Sequence, residues 1–288
     1  MDPIHELMAK KVAVVNLKGG VGKSTIVTNL AWQFSGIEGQ SKRVLVVDLD
    51  PQFNASQYLL GARIYGQMLA QGIPTIWDVL EQHTATPAGS PQPLDPARTV
   101  HNVVTFGDGA RIDVIPSRLE LANSLKNPAG KEGLVAKHIR KIEQTYDLIL
   151  FDCSPTDSML TTSAYLASDY VLIPVRPDFL STIGLPLLAR SMAEFKAQNE
   201  DSRLSVAGVV FNASDRYVPE STRAKRDVRA VAKSNDWYIF ENEIAYSRSY
   251  PSGARQGQPI FRTSYSRTSV ASNFASVAAE FAKVVGLP

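Results

Sequence analysis

Hydrophobic and polar positions alternate in blocks along the chain, and six blocks are almost continuously apolar and rich in β-branched residues. Such runs are typical of strands that are buried on both faces of a parallel sheet. The predicted strands span residues 11–17, 43–50, 111–117, 147–154, 170–175 and 205–212.

Segments with helical spacing separate these strands. The predicted helices span roughly residues 23–35, 132–144, 158–167, 183–198 and 218–234, and a last one spans about 269–286. Strands that alternate with helices predict an α/β fold with a doubly wound, mostly parallel sheet flanked by helices. We expect a single domain over residues 1–288, with an exposed loop at about 83–99, where Pro, Ser and Thr accumulate.

Composition narrows the class of protein. The 288 residues are 44% hydrophobic, enough for a sizeable core, and the net charge is only +2, so a DNA-binding surface must be a local patch. The one cysteine, Cys153, excludes disulfides within the chain and cysteine-ligated metal clusters. No apolar signal core opens the sequence and no run is long enough for a membrane span, which predicts a cytoplasmic location.

A glycine-rich turn, "LKGGVGKST" (17–25), follows the first predicted strand and opens the first predicted helix. This is the context of a phosphate-binding loop, in which backbone N–H groups converge on phosphate oxygens. Lys23 is expected to reach the β- and γ-phosphates, and the Ser24 hydroxyl to coordinate Mg²⁺. The predicted nucleotide-binding residues of the loop are Gly19, Gly20, Val21, Gly22, Lys23, Ser24 and Thr25.

Acidic residues follow two further strands. Asp48 and Asp50, in "VLVVDLDPQ" (44–52), lie two positions apart and therefore point the same way at a strand end. Such a pair can hold a magnesium-bound water and orient an attacking one. Asp152 ends the apolar run "LILFD" (148–152), the Walker B pattern, and is expected to bind Mg²⁺ through water.

These motifs together resemble the ParA/MinD/Soj group of deviant Walker A ATPases: "KGGVGKS" (18–24), "DLDPQ" (48–52), "IPS" (115–117) and the Walker B strand, in this order. The resemblance implies ATP and Mg²⁺ as cofactors and a slow ATP hydrolase that a partner stimulates. It also implies that Lys18, the signature lysine, reaches the phosphates of the other subunit in an ATP-sandwich homodimer.

The resemblance further implies roles for single residues. Asp50 would position the attacking water, Asp48 would help to hold the magnesium shell, and Asn212 would contact adenine. The chain departs from the family pattern at two places: Phe53 follows "DLDPQ" where the family usually has glycine, and Cys153-Ser154 follows the Walker B acid.

A basic helix indicates the branch of the family. In "STRAKRDVRAVAK" (221–233) Arg226, Arg229 and Lys233 share one helical face with Arg223 nearby, and Asp227 is the only acid among them. We therefore expect nonspecific, phosphate-directed binding of double-stranded DNA. The last helix has an apolar stripe but Lys283 is its only nearby cation, which favours docking on the core over membrane binding.

The sequence thus predicts a ParA-like, nucleoid-associated ATPase without an N-terminal helix-turn-helix, which a ParB-like or other cargo adaptor stimulates. Two alternatives stay open. One is a MinD-like positioning ATPase on a membrane, and the other is a metabolic phosphate-loop enzyme of the dethiobiotin-synthetase kind.

Overall fold

The computed structural model describes residues 8–36, 40–82, 94–214, 219–264 and 266–287. An eight-stranded sheet runs through the described part of the chain. Its strands are β1 Lys10–Val14, β2 Arg43–Leu49, β3 His101–Thr105, β4 Arg111–Ile115, β5 Leu148–Cys153, β6 Tyr170–Val175, β7 Ser205–Ser214 and β8 Ile244–Ala245.

The strand order is β3-β4-β2-β5-β1-β6-β7-β8, and β3 pairs with β4 in the antiparallel direction. The other pairings are parallel, so the predicted doubly wound, mostly parallel sheet is confirmed. Because neighbouring parallel strands end at the same edge, the carboxyl ends of β1, β2 and β5 meet there. In this register Asp48 of β2 lies opposite Asp152 of β5.

The described residues form ten α-helices. They are α1 Lys23–Gly36, α2 Asn54–Ala70, α3 Ile76–Glu81, α4 Leu121–Ser124, α5 Leu134–Ile139, α6 Met159–Ala167, α7 Phe179–Gln198, α8 Pro219–Ser234, α9 Ser249–Gln256 and α10 Thr268–Val285. All six predicted helices are present, although α5 is shorter than predicted and α7 begins four residues earlier, where Asp178 caps its first turn.

Sequence patterns missed two strands and four helices. The edge strand β3 is only partly buried, and β8 has two residues, so neither gives a long apolar run. Helix α2 was not predicted because Gly61, with φ 74° and ψ 147°, interrupts its helical spacing.

Only the last part of the predicted exposed loop at about 83–99 belongs to the described residues. Residues 83–93 lie outside the described residues, and a 3₁₀ turn occupies Pro96–Arg98. Thr99 is fully buried, with its hydroxyl 2.9 Å from Nε2 of His138. The prediction of a single domain over the whole chain stays a prediction.

Hydrophobic clusters cover both faces of the sheet. The last helix belongs to one of them: Phe274, Val277 and Phe281 of α10 are buried, and the Phe281 ring lies 5.9 Å from that of Phe34 in α1. The apolar stripe of α10 therefore packs on the core, as its charge pattern predicted.

Candidate functional site

The loop between β1 and α1 is built around the buried side chain of Lys23. Its ammonium group donates to the carbonyl oxygens of Asn16 at 2.9 Å and Lys18 at 3.1 Å. Burial lowers the pKa of Lys23, while the carboxylates of Asp152 and Asp50 favour its charged form. The ammonium group thus binds the backbone at the start of the loop. A phosphate-loop lysine binds its phosphate ligand from this position.

Glycine is required at Gly22 for two reasons. Its φ of 91° is a conformation that L side chains rarely adopt, and an added Cβ would lie 2.2 Å from Nδ2 of Asn212. That Nδ2 donates to the carbonyl oxygen of Val21 at 2.6 Å, and Oδ1 of Asn212 accepts from the Ala213 N–H at 2.8 Å. Asn212 therefore supports the loop from the end of β7, and its contact with adenine stays a prediction.

Asp48 is completely buried and holds the segment that follows β2. One carboxylate oxygen accepts from the Asp50 N–H at 3.0 Å, and the other accepts from the N–H of Ser56 at 2.8 Å and its hydroxyl at 2.6 Å. Burial raises the pKa of Asp48 to about 7, although these hydrogen bonds favour the ionised form. Its predicted part in a magnesium shell is untested, but its part in positioning Asp50 is visible.

Asp152 is buried beside Asp48, and no donor in the described residues meets either of its carboxylate oxygens with good hydrogen-bond geometry, although the nearby Ser24 hydroxyl favours its ionised form and so lowers its pKa. Burial and the adjacent Asp48 carboxylate raise the pKa of Asp152 well above its ordinary value. Two buried carboxylates side by side form an environment that a divalent cation would stabilise. These residues therefore fit a magnesium ion.

No cage of three or more His, Cys, Asp or Glu side chains forms within the described ranges. Magnesium does not need one, because in nucleotide sites it is held by one or two carboxylates, waters and phosphate oxygens. Ser24 and Asp152 would hold the ion together with the nucleotide.

A cleft of about 320 Å³ opens above these groups. Its lining residues are Gly19, Gly20, Gly22, Lys23, Ser24, Thr25, Asp50, Gln52, Asn54, Gln57, Tyr58, Pro155 and Ala254. Six of the predicted loop residues thus face one space together with Asp50, whereas Val21 is buried and contributes its backbone. The Asp50 side chain is 5% exposed, and Oδ1 accepts from the Gln52 N–H at 2.9 Å.

Lys18 has a partner within its own chain. Its ammonium group lies 2.6 Å from Oδ1 of Asp178, the residue that caps α7 by accepting from the Ser181 N–H at 3.1 Å. Although burial alone would raise it, the pKa of Asp178 is lowered, because Lys18 and Ser181 donate to its ionised form. Lys18 is therefore kept at the edge of the phosphate loop in this structure.

The predicted basic face is present on α8. Arg223, Arg226, Arg229 and Lys233 are exposed, whereas Ala224, Val228 and Ala232 are buried on the opposite side of the helix. This arrangement agrees with an amphipathic helix that packs through its apolar side and presents cations to solvent.

One acid outside α8 modifies this face. Glu243 lies 2.5 Å from Nζ of Lys225 and 3.7 Å from a guanidinium nitrogen of Arg229, which also stacks over Phe211 with its carbon 5.2 Å from the ring centre. Arg229 is thus partly compensated, while the Arg226 side chain is 76% exposed and lies 3.6 Å from Asp227.

Comparison with known proteins decides the family. A family model described as an AAA domain matches residues 9–206, which is more than half of the chain. The chromosome-partitioning ATPase Soj of Treponema pallidum is 30% identical over 258 residues, covering 88% of this chain and 89% of that protein. The sporulation initiation inhibitor protein Soj of Bacillus subtilis is 30% identical over 256 residues, covering 88% and 90%.

The chain belongs to the ParA/Soj family of partitioning ATPases. The fold agrees: the ATP complex of a McdA variant from Cyanothece superposes with a TM-score of 0.78 at 19% identity, covering 98% of each chain. Membership in this family places the chain among the phosphate-loop ATPases. Among the described residues, every helix is either too short or too polar for a membrane span.

Several residues that build this ParA-type site were not predicted. Asn16 accepts from the Lys18 N–H with its side chain, and Ser56 holds Asp48. Asp178 could have been suspected as an aspartate before a helical run, but its pairing with Lys18 joins positions 160 residues apart. For Ser56, Gln57 and Tyr58 the sequence carried no signal, because helix α2 itself was missed.

The geometry of Gly22 gives a test that needs no ligand. Gly22→Ala is expected to lower the free energy of unfolding by about 2 kcal/mol. Alanine is strained in the left-handed backbone conformation of this position, and its Cβ displaces the side chain of Asn212 from its hydrogen bond. Gly19→Ala is the matched control, since a Cβ at Gly19 meets no atom within 4 Å. Urea unfolding of the nucleotide-free protein measures both, and equal stability of the two variants would contradict the close approach.

Proposed function

We propose that the chain is an ATP hydrolase that forms an ATP-bound homodimer, binds double-stranded DNA without sequence preference and positions a cargo. Hydrolysis is slow until a ParB-like or other cargo adaptor stimulates it, and the protein acts in the cytoplasm on the nucleoid. Residues 1–288 act as one ATPase domain. The observation that carries the proposal is the pair of lysines in one loop: Lys23 is buried and lines the cleft, and Lys18 is paired with Asp178.

Each group in the cleft has one task in this proposal. The loop N–H groups and Lys23 bind the phosphates, Ser24 and Asp152 hold the magnesium ion, and Asp48 fixes the segment that carries Asp50. Magnesium-bound ATP supplies the phosphoryl group that is transferred to water. Asp50 orients that water, and it lines the same space as the loop.

Lys18 links the chemistry to assembly. The Lys18 side chain is 20% exposed while it is paired with Asp178 of its own protomer. We propose that it exchanges Asp178 for the phosphates of the partner subunit when two ATP-bound protomers meet. A cation delivered in this way stabilises charge that develops on the transferred phosphoryl group.

Lys18→Ala is expected to retain ATP binding but to lose the ATP-dependent dimer, measured by light scattering after gel filtration. Lys23→Ala is the contrasting variant, because it removes the buried phosphate ligand and is expected to lose ATP binding itself. Asp178→Asn should shift the dimer midpoint to lower protein concentration, since it weakens the competing ion pair. A Lys18→Ala protein that dimerises like the wild type would refute the role in trans.

Asp50→Ala is expected to bind ATP with near-wild-type affinity and to lose turnover by about 100-fold or more, because the attacking water is no longer oriented. The dimer should then persist on DNA after ATP is added. Phosphate release and nucleotide binding are measured on the same preparation. Unchanged turnover would remove Asp50 from the reaction.

The basic face of α8 is tested by charge reversal. Arg226→Glu with Arg229→Glu should weaken DNA binding by at least about tenfold at low salt while sparing the dimer, because phosphate contacts dominate nonspecific affinity. Lys137→Glu in α5 with Arg140→Glu at the C-cap of that helix is the matched control, since both residues are exposed and have the same spacing.

Fluorescence anisotropy with ATP, ADP or no nucleotide at two salt concentrations provides the measurement. ATP-dependent, salt-sensitive binding that only the α8 pair weakens supports the proposal. Equal loss in both pairs would indicate a general charge effect, and binding to vesicles in place of DNA would favour the membrane branch.

A further inference from the structure

We propose that Phe53 and Tyr65 form an aromatic clasp that positions Asp50 for hydrolysis. The inference rests on the proposed role of Asp50 and adds two positioning residues that do not line the cleft. The clasp is defined here as the stacked rings of Phe53 and Tyr65, whose centres are 5.3 Å apart with an angle of 20° between the planes.

The backbone at Phe53 adopts a conformation that favours glycine. Its φ of 48° and ψ of 31° lie in the left-handed region, and the residue precedes α2 without a side-chain hydrogen bond to the helix. A bulky residue is kept in this region only when its surroundings compensate. In this proposal the stack on Tyr65, together with the packing of Phe53 against the core, supplies that compensation.

The second feature is the kink that brings the rings together. Phe53 and Tyr65 are twelve positions apart, which in a straight helix corresponds to about 18 Å along the axis. Gly61 interrupts α2 with φ 74° and ψ 147°, so the second half of the helix turns back towards its start. The backbone conformation alone requires glycine at this kink. Space does not, because a Cβ at Gly61 would meet no atom within 4 Å.

Tyr65 is anchored to the sheet edge. It is 4% exposed, and its hydroxyl donates to the carbonyl oxygen of Ser117 at 2.9 Å. The N–H of Ser117 donates to the Ser56 hydroxyl at 2.9 Å, and that hydroxyl donates to Asp48 at 2.6 Å. One ring of the clasp is therefore fixed to the same network that holds the end of β2.

Phe53 connects the anchored ring of Tyr65 to Asp50. Its N–H donates to the carbonyl oxygen of Asp50 at 2.8 Å and closes a turn, within which the Gln52 N–H donates to the Asp50 carboxylate. Gln52 and Asn54 on either side face the cleft, whereas the ring of Phe53 lies against Tyr65. The clasp thus sets the orientation of Asp50 from behind the turn.

Loss of the ring should therefore reduce the rate and spare binding. Phe53→Ala is expected to lower single-turnover hydrolysis at saturating Mg-ATP by at least about tenfold, since misplacement of a catalytic group by about 1 Å costs on that scale or more. The affinity for ATP should change less than about threefold, because no phosphate contact is removed. Phe53→Tyr, which retains the stack, should restore the rate to within about threefold.

Phe53→Gly separates backbone strain from the stack. Glycine accepts a φ of 48° without cost, so this variant should unfold at a higher temperature than Phe53→Ala and still hydrolyse slowly. Tyr65→Phe, which loses only the hydroxyl that meets Ser117, should give an intermediate rate. Tyr238→Ala removes a ring contact of 5.6 Å with Phe240, away from the cleft, and should leave hydrolysis unchanged.

The outcomes distinguish this inference from the function on which it rests. If Asp50→Ala hydrolyses normally, the proposed function fails. If Asp50→Ala is inactive and folded Phe53→Ala hydrolyses at the wild-type rate, the clasp alone is refuted. A Phe53→Tyr protein as slow as Phe53→Ala would also refute it, and if Phe53→Ala does not fold, an unchanged rate in Tyr65→Phe would do the same.

Discussion

The site depends on a single buried charge, the ammonium group of Lys23. Taking this group out of water is unfavourable, and two backbone carbonyls together with the nearby carboxylates of Asp50 and Asp152 offset that cost. The carboxylates of Asp50 and Asp152 repel each other, and the positive charge of Lys23 offsets this repulsion. The end of β1, the end of β2 and the end of β5 are therefore linked electrostatically before any nucleotide binds.

The parts of this arrangement that the sequence predicted are local. Asp48 and Asp152 lie at the ends of apolar strands, Asp50 directly follows one, and Lys23 opens the helix after another. The parallel pairing of the strands brings these residues to one edge. Gly22 was predicted as a phosphate-loop residue from the glycine-rich motif, but the hydrogen bond that Asn212 makes to Val21, 191 positions away, was not predicted. Pattern analysis identifies which residues end a strand, and only the assembled sheet shows which of them touch.

The roles of side chains that act by positioning other residues could not be predicted from the sequence. Asp178 has an ordinary role as a helix cap, and nothing local in its segment indicates that it also neutralises Lys18. Phe53 occupies a left-handed position that sequence reasoning could only note as a departure from the family. Helix α2 has no clear periodicity because Gly61 kinks it, and Ser56, which holds Asp48, belongs to this helix. Family resemblance identifies the chemistry, while these contacts belong to this chain.

The hydrogen bond between Asn212 and Val21 joins the phosphate loop to strand β7, and the basic helix α8 follows that strand in the chain. In thermodynamic terms such a connection works equally in both directions. If bound nucleotide raises the affinity of the protein for a ligand on α8, that ligand raises the affinity for the nucleotide by the same factor. A polyanion held on α8 would then raise the affinity for nucleotide, and its removal would lower that affinity by the same factor.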